Sequence, residues 1–286
     1  FTVADSTGQT ATGSVLFAIH PKTDLISINN GAPPLPVGSS SSPSISNNGR
    51  FVAFASSATI IPGVSGPQIY LHDWQTNQTS LVSQNGVGIA GNGTSSQHSI
   101  SANGRFVAFT STSATLTGDP DPGPSQIFLR DMQLNTTTLV SQATGIAGPV
   151  GNGASIEPTI SDDGRFVAFA SASSNLTGDP NPAPFQIFLR DTQLNITMLI
   201  SQATGVAGPV GNGASSQPTI SDDGRYVAFT SLATTLAPTP NGSGSQIFLR
   251  DTIANATTLV SQEIGGDAGN GASSQPTISD DGRYVA

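Results

Sequence analysis

One ten-residue motif returns along this chain and constrains its fold more than any other feature. The copies read ISNNGRFVAF, ISANGRFVAF, ISDDGRFVAF and ISDDGRYVAF, at residues 45–54, 100–109, 160–169 and 220–229, and a nine-residue copy fills 278–286. Successive copies therefore start 55, 60, 60 and 58 residues apart. Self-similarity at a steady period indicates a fold built from one supersecondary unit used several times.

Two further motifs keep their order and distance within every unit. The first reads QIYLHD or QIFLRD, at 68–73, 126–131, 186–191 and 246–251. The second reads SLVSQ, TLVSQ, MLISQ and TLVSQ, at 80–84, 138–142, 198–202 and 258–262. Their β-branched and aromatic residues are typical of strands. We therefore predict four strands per unit, a to d, which in the third unit cover 158–161, 165–171, 186–191 and 198–202.

The connections between the predicted strands are of two kinds. Asp162, Asp163 and Gly164 join strands a and b, and a three-residue loop ending in Gly predicts a hairpin closed by a left-handed residue. The c–d turn is also short, whereas the b–c and d–a connections are long and rich in Gly, Pro, Asn and Ser. No segment shows the period of a helix. Each unit is therefore predicted to be an antiparallel sheet.

Stacking such sheets around an axis covers both faces of each one, which is the architecture of a β-propeller. The repeated text resembles the TolB-type, WD40-like propeller repeat over about residues 45–286, although the c–d turn, where that family often has Gly, has Asn in every copy. The resemblance implies an all-β propeller of four-stranded antiparallel blades, about five in this chain or part of a longer propeller. It implies little about function, since the repeat serves in binding, scaffold and enzyme-accessory proteins.

The two ends of the chain predict incomplete units. Residues 14–30 can be aligned with a c–d hairpin and 276–286 with an a–b hairpin, so the two halves can complete a fifth blade. Residues 1–19 also resemble the last two strands of a bacterial immunoglobulin-like domain. We therefore divide the chain into N-terminal strands at 1–20, either half a blade or the tail of such a domain, and propeller repeats at 21–286.

Composition narrows the choice of partners. Only 9% of the residues are charged, against about 25% in a typical globular domain, and the net charge is −9. A nucleic acid or an anionic membrane requires a basic face, so we expect neither partner. The chain has no Cys, which excludes disulfides and thiolate chemistry. No apolar run approaches the ~18 residues of a membrane-spanning helix.

We predict no catalytic residue, no metal site and no cofactor. His72 and His98 stand where other units have Arg and Pro, which favours drift within a repeat, and no acidic or histidine cluster accompanies them or His20. No nucleophile elbow or phosphate-binding loop is present. Alternating oxygen side chains in the b–c connections lack a full Ca²⁺ ligand set, which favours loop solvation. These side chains are Asp119, Asp121, Asp179 and Asn181.

The remaining aspartates repeat with the units. Pairs in the a–b turns predict turn formation, because Asp hydrogen-bonds its own backbone there. A second set ends strand c in every unit, which predicts a structural bond to a neighbouring turn. This set is Asp73, Asp131, Asp191 and Asp251.

The c–d turns carry a repeated Asn-x-Thr pattern, the acceptor site for N-glycosylation. The four repeated asparagines are Asn77, Asn135, Asn195 and Asn255, and longer loops add Asn92, Asn175 and Asn241. One interpretation is that glycans decorate an exposed turn and keep a weakly charged surface solvated. The other is structural, since Asn is the best substitute for Gly at a left-handed turn position and Thr favours the strand that follows.

These features favour a structural or adhesive role. We expect a non-enzymatic, glycosylated propeller, extracellular or at the cell surface, that is a building block of a surface polymer or fibril. Its partners would be copies of itself or other surface proteins, and N-linked glycans. A TolB-like module in the periplasm or secreted, which binds protein or glycan, is one alternative. The accessory propeller of a larger enzyme is another.

Overall fold

The computed structural model describes residues 2–4, 10–12, 38–118, 123–178, 184–237, 244–263 and 266–286. Every regular secondary-structure element in these ranges is a β-strand. A helix long and apolar enough to cross a membrane is not found among them.

The described strands form four four-stranded antiparallel sheets and one two-stranded hairpin. The hairpin is β1 (Thr2–Ala4) and β2 (Thr10–Thr12). Blade 1 is β3 (Ser40–Ile45), β4 (Phe51–Ser56), β5 (Gln68–Asp73) and β6 (Gln78–Leu81). Blade 2 is β7 (Ser95–Ile100), β8 (Phe106–Ser111), β9 (Gln126–Asp131) and β10 (Thr136–Leu139). Blade 3 is β11 (Ser155–Ile160), β12 (Phe166–Ser171), β13 (Gln186–Asp191) and β14 (Ile196–Leu199). Blade 4 is β15 (Ser215–Ile220), β16 (Tyr226–Ser231), β17 (Gln246–Asp251) and β18 (Ala256–Leu259).

Each blade pairs its strands in chain order, which confirms the predicted a–b–c–d sheet. The a–b turn also has the predicted form. The N–H of Gly164 donates to the carbonyl of Ser161 at 2.9 Å, and Gly164 has a φ of +77°. A Cβ on Gly164 would overlap the Phe106 ring of blade 2. Glycine is therefore required both by the turn and by the approach of the preceding blade.

Strands a and d differ from their predicted bounds. In blade 3, strand a is predicted from 158 but begins at Ser155. A bulge at Glu157, with a φ of 56°, shifts the register so that Ser155 and Ile156 also pair with strand b. Strand d is predicted at 198–202 but covers Ile196–Leu199. It ends early because the N–H of Gln202 donates to the carbonyl of Ile200 at 2.8 Å and turns the chain.

Apolar clusters lie between successive blades. Between blades 2 and 3, Ile127 and Val140 of blade 2 pack with Val167 and Phe169 of blade 3, and all four are buried. The phenylalanine of strand b is buried in every blade and stacks on an aromatic ring of strand c, at 6.0 Å between the centroids of Phe169 and Phe188. Packing of strand b on both faces explains its unbroken apolar sequence.

The ends of the chain test the predicted fifth blade only in part. The C-terminal segment is the expected a–b hairpin, with Ile278 opposite Val285 and the N–H of Thr277 donating to the carbonyl of Ala286 at 2.9 Å. The proposed c–d partner at 14–30 lies outside the described residues. The fifth blade and the domain boundary at residue 20 therefore stay predictions.

Candidate functional site: the joints between blades

Neighbouring blades are held together by a polar contact around a buried arginine. Arg190 of blade 3 is 1% exposed. Its Nη1 donates to the carbonyl of Ala143 and to Thr197 Oγ1, both at 3.0 Å. Its Nη2 donates to the carbonyl of Gly145 and to Asn195 Oδ1, again at 3.0 Å. Ala143 and Gly145 belong to the d–a connection that leaves blade 2, so Arg190 binds blade 2 to blade 3.

The segments that are held in this way are the three d–a connections at 84–93, 142–153 and 202–213, here called the tips. Each tip opens with a short hairpin, as in the bridge between Gln142 and Val150. The tip of blade 2 also covers the free edge of strand d in blade 3. The N–H of Thr197 donates to Thr144 Oγ1 at 3.1 Å, and the N–H of Gly145 donates to the carbonyl of Asn195 at 2.7 Å. Covering an exposed strand edge protects a sheet from unwanted pairing.

Blades 4 and 2 repeat the arginine contact. In blade 4, Arg250 donates to the carbonyls of Ala203 and Gly205 at 3.0 and 3.1 Å. In blade 2, Arg130 donates to the carbonyl of Asn85 at 3.2 Å. Burial lowers the pKa of each of these arginines, and the aspartate that follows each one in sequence offsets only part of this shift. The repeat therefore uses an arginine as a hydrogen-bond donor to backbone.

The Asn-x-Thr pattern supplies the other half of this contact. Thr197 Oγ1 donates to the carbonyl of Gln142 at 2.6 Å, and Thr257 Oγ1 does the same to Gln202 at 2.6 Å. The repeated asparagines all have left-handed backbone, with φ of 53°, 57°, 58° and 53° for Asn77, Asn135, Asn195 and Asn255. The structural interpretation of the pattern is thus confirmed. Attachment of a glycan stays a prediction.

The sequon asparagines differ in how firmly they are held. Asn175 Nδ2 donates to the carbonyl of Val150 at 2.8 Å, and Asn92 Oδ1 accepts two hydrogen bonds from the b–c connection of blade 2, both at 3.0 Å. Asn77 is exposed and makes no side-chain hydrogen bond within the described part of the chain. Asn241 lies outside the described residues.

The aspartate at the end of strand c forms the structural bond that the sequence predicts. Asp191 pairs with Arg165 of the a–b turn, at 2.7 Å between Oδ2 and Nη2, and accepts the N–H groups of Gln193 and Leu194 at 3.0 Å. Burial raises the pKa of Asp191, but the bonds from Arg165 and the turn outweigh burial and lower it. The same arrangement holds the pKa of Asp251 at about 2, mainly through its hydrogen bond from Arg225.

Blade 1 departs from the pattern because His72 replaces the arginine. His72 is 1% exposed, and its Nδ1 lies 3.0 Å from Thr79 Oγ1. Burial lowers the pKa of His72, so the ring is neutral at pH 7. Its Nε2 is buried without a partner in the described part of the chain. His72 thus occupies the strand c position of the arginine with fewer hydrogen bonds within the described residues.

A second polar network joins the start of strand c to the tips. Gln126 Nε2 donates to the carbonyls of Gly151 and Gly153 at 2.9 and 3.2 Å, and its Oε1 accepts from Ser141 Oγ at 2.5 Å. Gln68, Gln186 and Gln246 repeat this arrangement. These glutamines and arginines were not among the predicted site residues. The glutamine occurs in all four copies of the motif and the arginine in three, and this recurrence is the signal that could have found them.

The a–b turns of successive blades form a line of backbone hydrogen bonds. The N–H of Asp162 donates to the carbonyl of Asp222 at 3.3 Å, and the N–H of Asp222 donates to the carbonyl of Asp280 at 3.0 Å. Asn47 Nδ2 of blade 1 donates to Asp162 Oδ2 of blade 3 at 3.1 Å. Burial first, and then Asp162 and Asp280, raise the pKa of Asp222 to about 6. Carboxylates from three repeats are thus brought close together.

A parallel line runs along the bulges of strand a. The N–H of Glu157 donates to Gln97 Oε1 at 3.2 Å, and the N–H of Gln217 donates to Glu157 Oε2 at 2.6 Å. The N–H of Gln275 donates in turn to Gln217 Oε1 at 2.9 Å. The innermost strands are therefore linked by side chains that bind the backbone of the next blade.

Two equivalent clefts open beside the joints. One, of about 370 Å³, lies between strand d of blade 2 and the c–d turn of blade 3, and Thr138, Ile146 and Thr192 line it. The other, of about 320 Å³, lies between blades 3 and 4 and is lined by Met198, Val206 and other equivalent residues. No group of three or more His, Asp or Glu side chains in the described ranges is placed to hold a metal. The Ca²⁺ candidates Asp119, Asp121, Asp179 and Asn181 lie outside those ranges.

Comparison with known proteins bears on the fold. No family model matches the sequence, and no curated protein matches it either. Among solved structures, the chain is similar to TolB from Acinetobacter baumannii, with 17% identity and a TM-score of 0.48 over 99% of this chain and 52% of that one. It is similar to an oligogalacturonate lyase in complex with manganese, with 13% identity and a TM-score of 0.50 over 85% of this chain and 56% of that one.

A prolyl endopeptidase gives a third likeness, with 14% identity and a TM-score of 0.49 over 80% of this chain and 30% of that one. The chain thus spans about half the length of the TolB and lyase structures. Identities this low speak for the fold alone. The four successive blades, together with the lyase likeness, confirm the β-propeller, and the TolB-type resemblance of the repeats holds at the level of fold.

Proposed function

We propose that this chain is a structural, non-enzymatic β-propeller that works outside the cell or at its surface, as a building block of a polymer or fibril. The observation that carries the proposal is the joint. At three successive joints a buried arginine of one blade donates to backbone carbonyls of the tip before it. Hydrogen bonds from a charged donor are stronger than neutral ones, so such joints suit a body that must resist separation of its blades.

The use of the charged side chains supports the non-enzymatic part of the proposal. Four arginines pair with the aspartates that end strand c: Arg50, Arg105, Arg165 and Arg225. Three more are buried in the joints: Arg130, Arg190 and Arg250. Catalytic groups need access to a substrate, whereas these groups are engaged with the fold itself.

Glycosylation belongs to the same proposal, and the c–d turns support it by their exposure. Asn77 and Asn135 lie on the exposed surface of their turns. A glycan on Asn77 would displace no side-chain hydrogen bond made with the described residues, whereas at Asn195 it would have to coexist with the bond from Arg190. We therefore expect Asn77 to be the most heavily modified of the four repeated sequons.

Electron microscopy of the native material, with glycopeptide mass spectrometry of the same sample, tests the proposal. The expected result is filaments or sheets with an N-linked glycan on Asn77. Isolated single chains without any glycan would overturn it.

The second candidate function is a binding module, secreted or periplasmic, for protein or glycan. The equivalent clefts at two joints favour it, because their volumes of about 370 and 320 Å³ reach the lower range of ligand sites. Thr192→Trp and Thr252→Trp would fill the two clefts. If this function holds, the pair of substitutions abolishes capture of the partner from native extract, while Leu232→Trp on an exposed b–c connection leaves capture unchanged.

A further inference from the structure

The joints expose an uncharged, aliphatic surface that repeats from blade to blade. It consists of the tips at 84–93, 142–153 and 202–213 and the c–d turns at 132–136, 192–196 and 252–256, here called the outer rim. Its most exposed apolar side chains are Val87 (80%), Ile146 (84%), Val206 (81%), Leu134 (65%), Leu194 (61%) and Ile253 (71%). Exposed apolar side chains thus recur at each of the three described joints, and larger exposed apolar patches mark interaction sites.

The backbone brings the apolar residues of a tip and a turn together. The N–H of Gly145 donates to the carbonyl of Asn195 at 2.7 Å. Ile146 follows Gly145 in the tip, and Leu194 precedes Asn195 in the turn. Gly205 and Asn255 make the same bond at 2.7 Å, next to Val206 and Ala254, and Ile253 precedes Ala254 in the turn. At these two joints, backbone hydrogen bonds therefore hold an exposed aliphatic residue of the tip close to the c–d turn of the next blade.

Charge is excluded from this surface. The six segments of the outer rim contain no Asp, Glu, Lys or Arg, although the chain carries a net charge of −9. The carboxylates gather instead in the a–b turns, at Asp162, Asp222 and Asp280 and the residues that follow them. Two identical acidic faces would repel each other. The outer rim is the surface on which two copies of this chain can meet without that repulsion.

We propose that the outer rim is a self-association surface, and that its partner is the outer rim of a second copy of this chain. The period of the surface supports this choice of partner. An exposed aliphatic side chain in the tip and another in the c–d turn recur at three successive joints, so a partner that covers them all must carry apolar groups at the same spacing. A second copy has that spacing by construction.

This inference rests on the proposed structural function and names its partner, and it requires that the glycan is on Asn77, outside the outer rim, and that Asn135, Asn195 and Asn255 are unmodified. Sedimentation velocity of the whole chain over a concentration series tests it directly. We expect reversible self-association that persists at high salt, because apolar contacts are not screened by ions. The double variant Ile146→Asp with Val206→Asp adds charge at two side chains that are more than four-fifths exposed. It should weaken association about tenfold or more.

Leu232→Asp is the matched control. It places the same charge at an apolar side chain that is 55% exposed and lies outside the outer rim. The control should associate like the unaltered chain. Circular dichroism of all three proteins verifies that each is folded. An unaltered chain that stays monomeric, a double variant that associates normally, or a control that weakens association as much as the double variant would each overturn the proposal.

Electron microscopy of the double variant separates this inference from the proposed function. Filaments that persist in the double variant would leave the structural role intact and reject the outer rim as its contact. Isolated chains in native material, with self-association that still depends on Ile146 and Val206 in solution, would reject the structural role and keep the surface.

Discussion

Blades 1 and 3 place different side chains at the same position of strand c. Arg190 of blade 3 donates four hydrogen bonds, two of them to carbonyls of the preceding tip. His72 of blade 1 has one side-chain hydrogen bond in the described ranges, with Thr79 Oγ1, and its buried Nε2 has no partner there. The two blades otherwise share their strand order and the ion pair that ends strand c.

The comparison separates two requirements of the repeat. Strand pairing and burial of the strand b phenylalanine are met in both blades, at Phe54 and Phe169 alike. The number of hydrogen bonds at this position differs, because a guanidinium has five N–H donors in a rigid plane and a neutral imidazole has one. The sheet thus tolerates either residue, while the hydrogen bonds that the position can donate depend on which one is present.

The largest expected effect is the loss of Arg190. Arg190→Met keeps the apolar stem but leaves the carbonyls of Ala143 and Gly145 without their donor, so we expect a loss of about 3–5 kcal/mol in the free energy of unfolding. His72→Leu, at the same position of blade 1, removes one contact and should cost about 1 kcal/mol. Urea denaturation of both variants measures the difference. Equal losses would show that the arginine joint adds nothing to blade 3.

A smaller effect is expected at the left-handed asparagine. Asn195→Gly keeps the backbone conformation but removes the Oδ1 that accepts from Arg190, which should cost about 1 kcal/mol more than Asn77→Gly. Both variants add the same flexibility to the unfolded chain, so the difference isolates the hydrogen bond. Urea midpoints that fall equally in the two variants would refute the structural reading of the Asn-x-Thr pattern.

The smallest effect concerns the pH dependence of stability. The folded-state pKa of Asp251 is about 2, below its ordinary value near 4, so its stabilisation is lost as the pH falls from 4 towards 2. The folded-state pKa of Asp222 is about 6, above its ordinary value, so its contribution is present below pH 4 and lost as the pH rises to 6. Stability should therefore peak near pH 4–5.

Asp222→Asn is the variant that sharpens this last prediction. An amide at this position keeps a donor for Asp162 and removes the carboxylate. The melting temperature at pH 7 should then rise, and its decline between pH 4 and 7 should flatten. Asp223→Asn is the matched control in the same turn, because blades 1 and 2 already have Asn48 and Asn103 at the equivalent position. A similar rise in both variants would point to net charge alone.

Several features could be predicted from the sequence because their causes are local or periodic. The strand order, the a–b turn with Gly164 and the role of the aspartate that ends strand c all follow from residue types at fixed spacing within one unit. The left-handed conformation of Asn195 was one of two interpretations of the Asn-x-Thr pattern. The bounds of strands a and d were less accurate, since the bulge at Glu157 and the bend after Ile200 are set by hydrogen bonds with other segments.

The sequence by itself determined the number, order and type of strands in each unit, because β-branched, aromatic and turn residues act over a few positions. Only the tertiary structure decided what Arg190, Thr197 and Gln126 do. Their partners are mostly backbone carbonyls, at Ala143, Gln142 and Gly151. Every residue has the same backbone carbonyl, so a sequence pattern cannot reveal which one accepts a hydrogen bond. Contacts of side chains with the backbone of a neighbouring blade therefore become visible only when the blades are placed side by side.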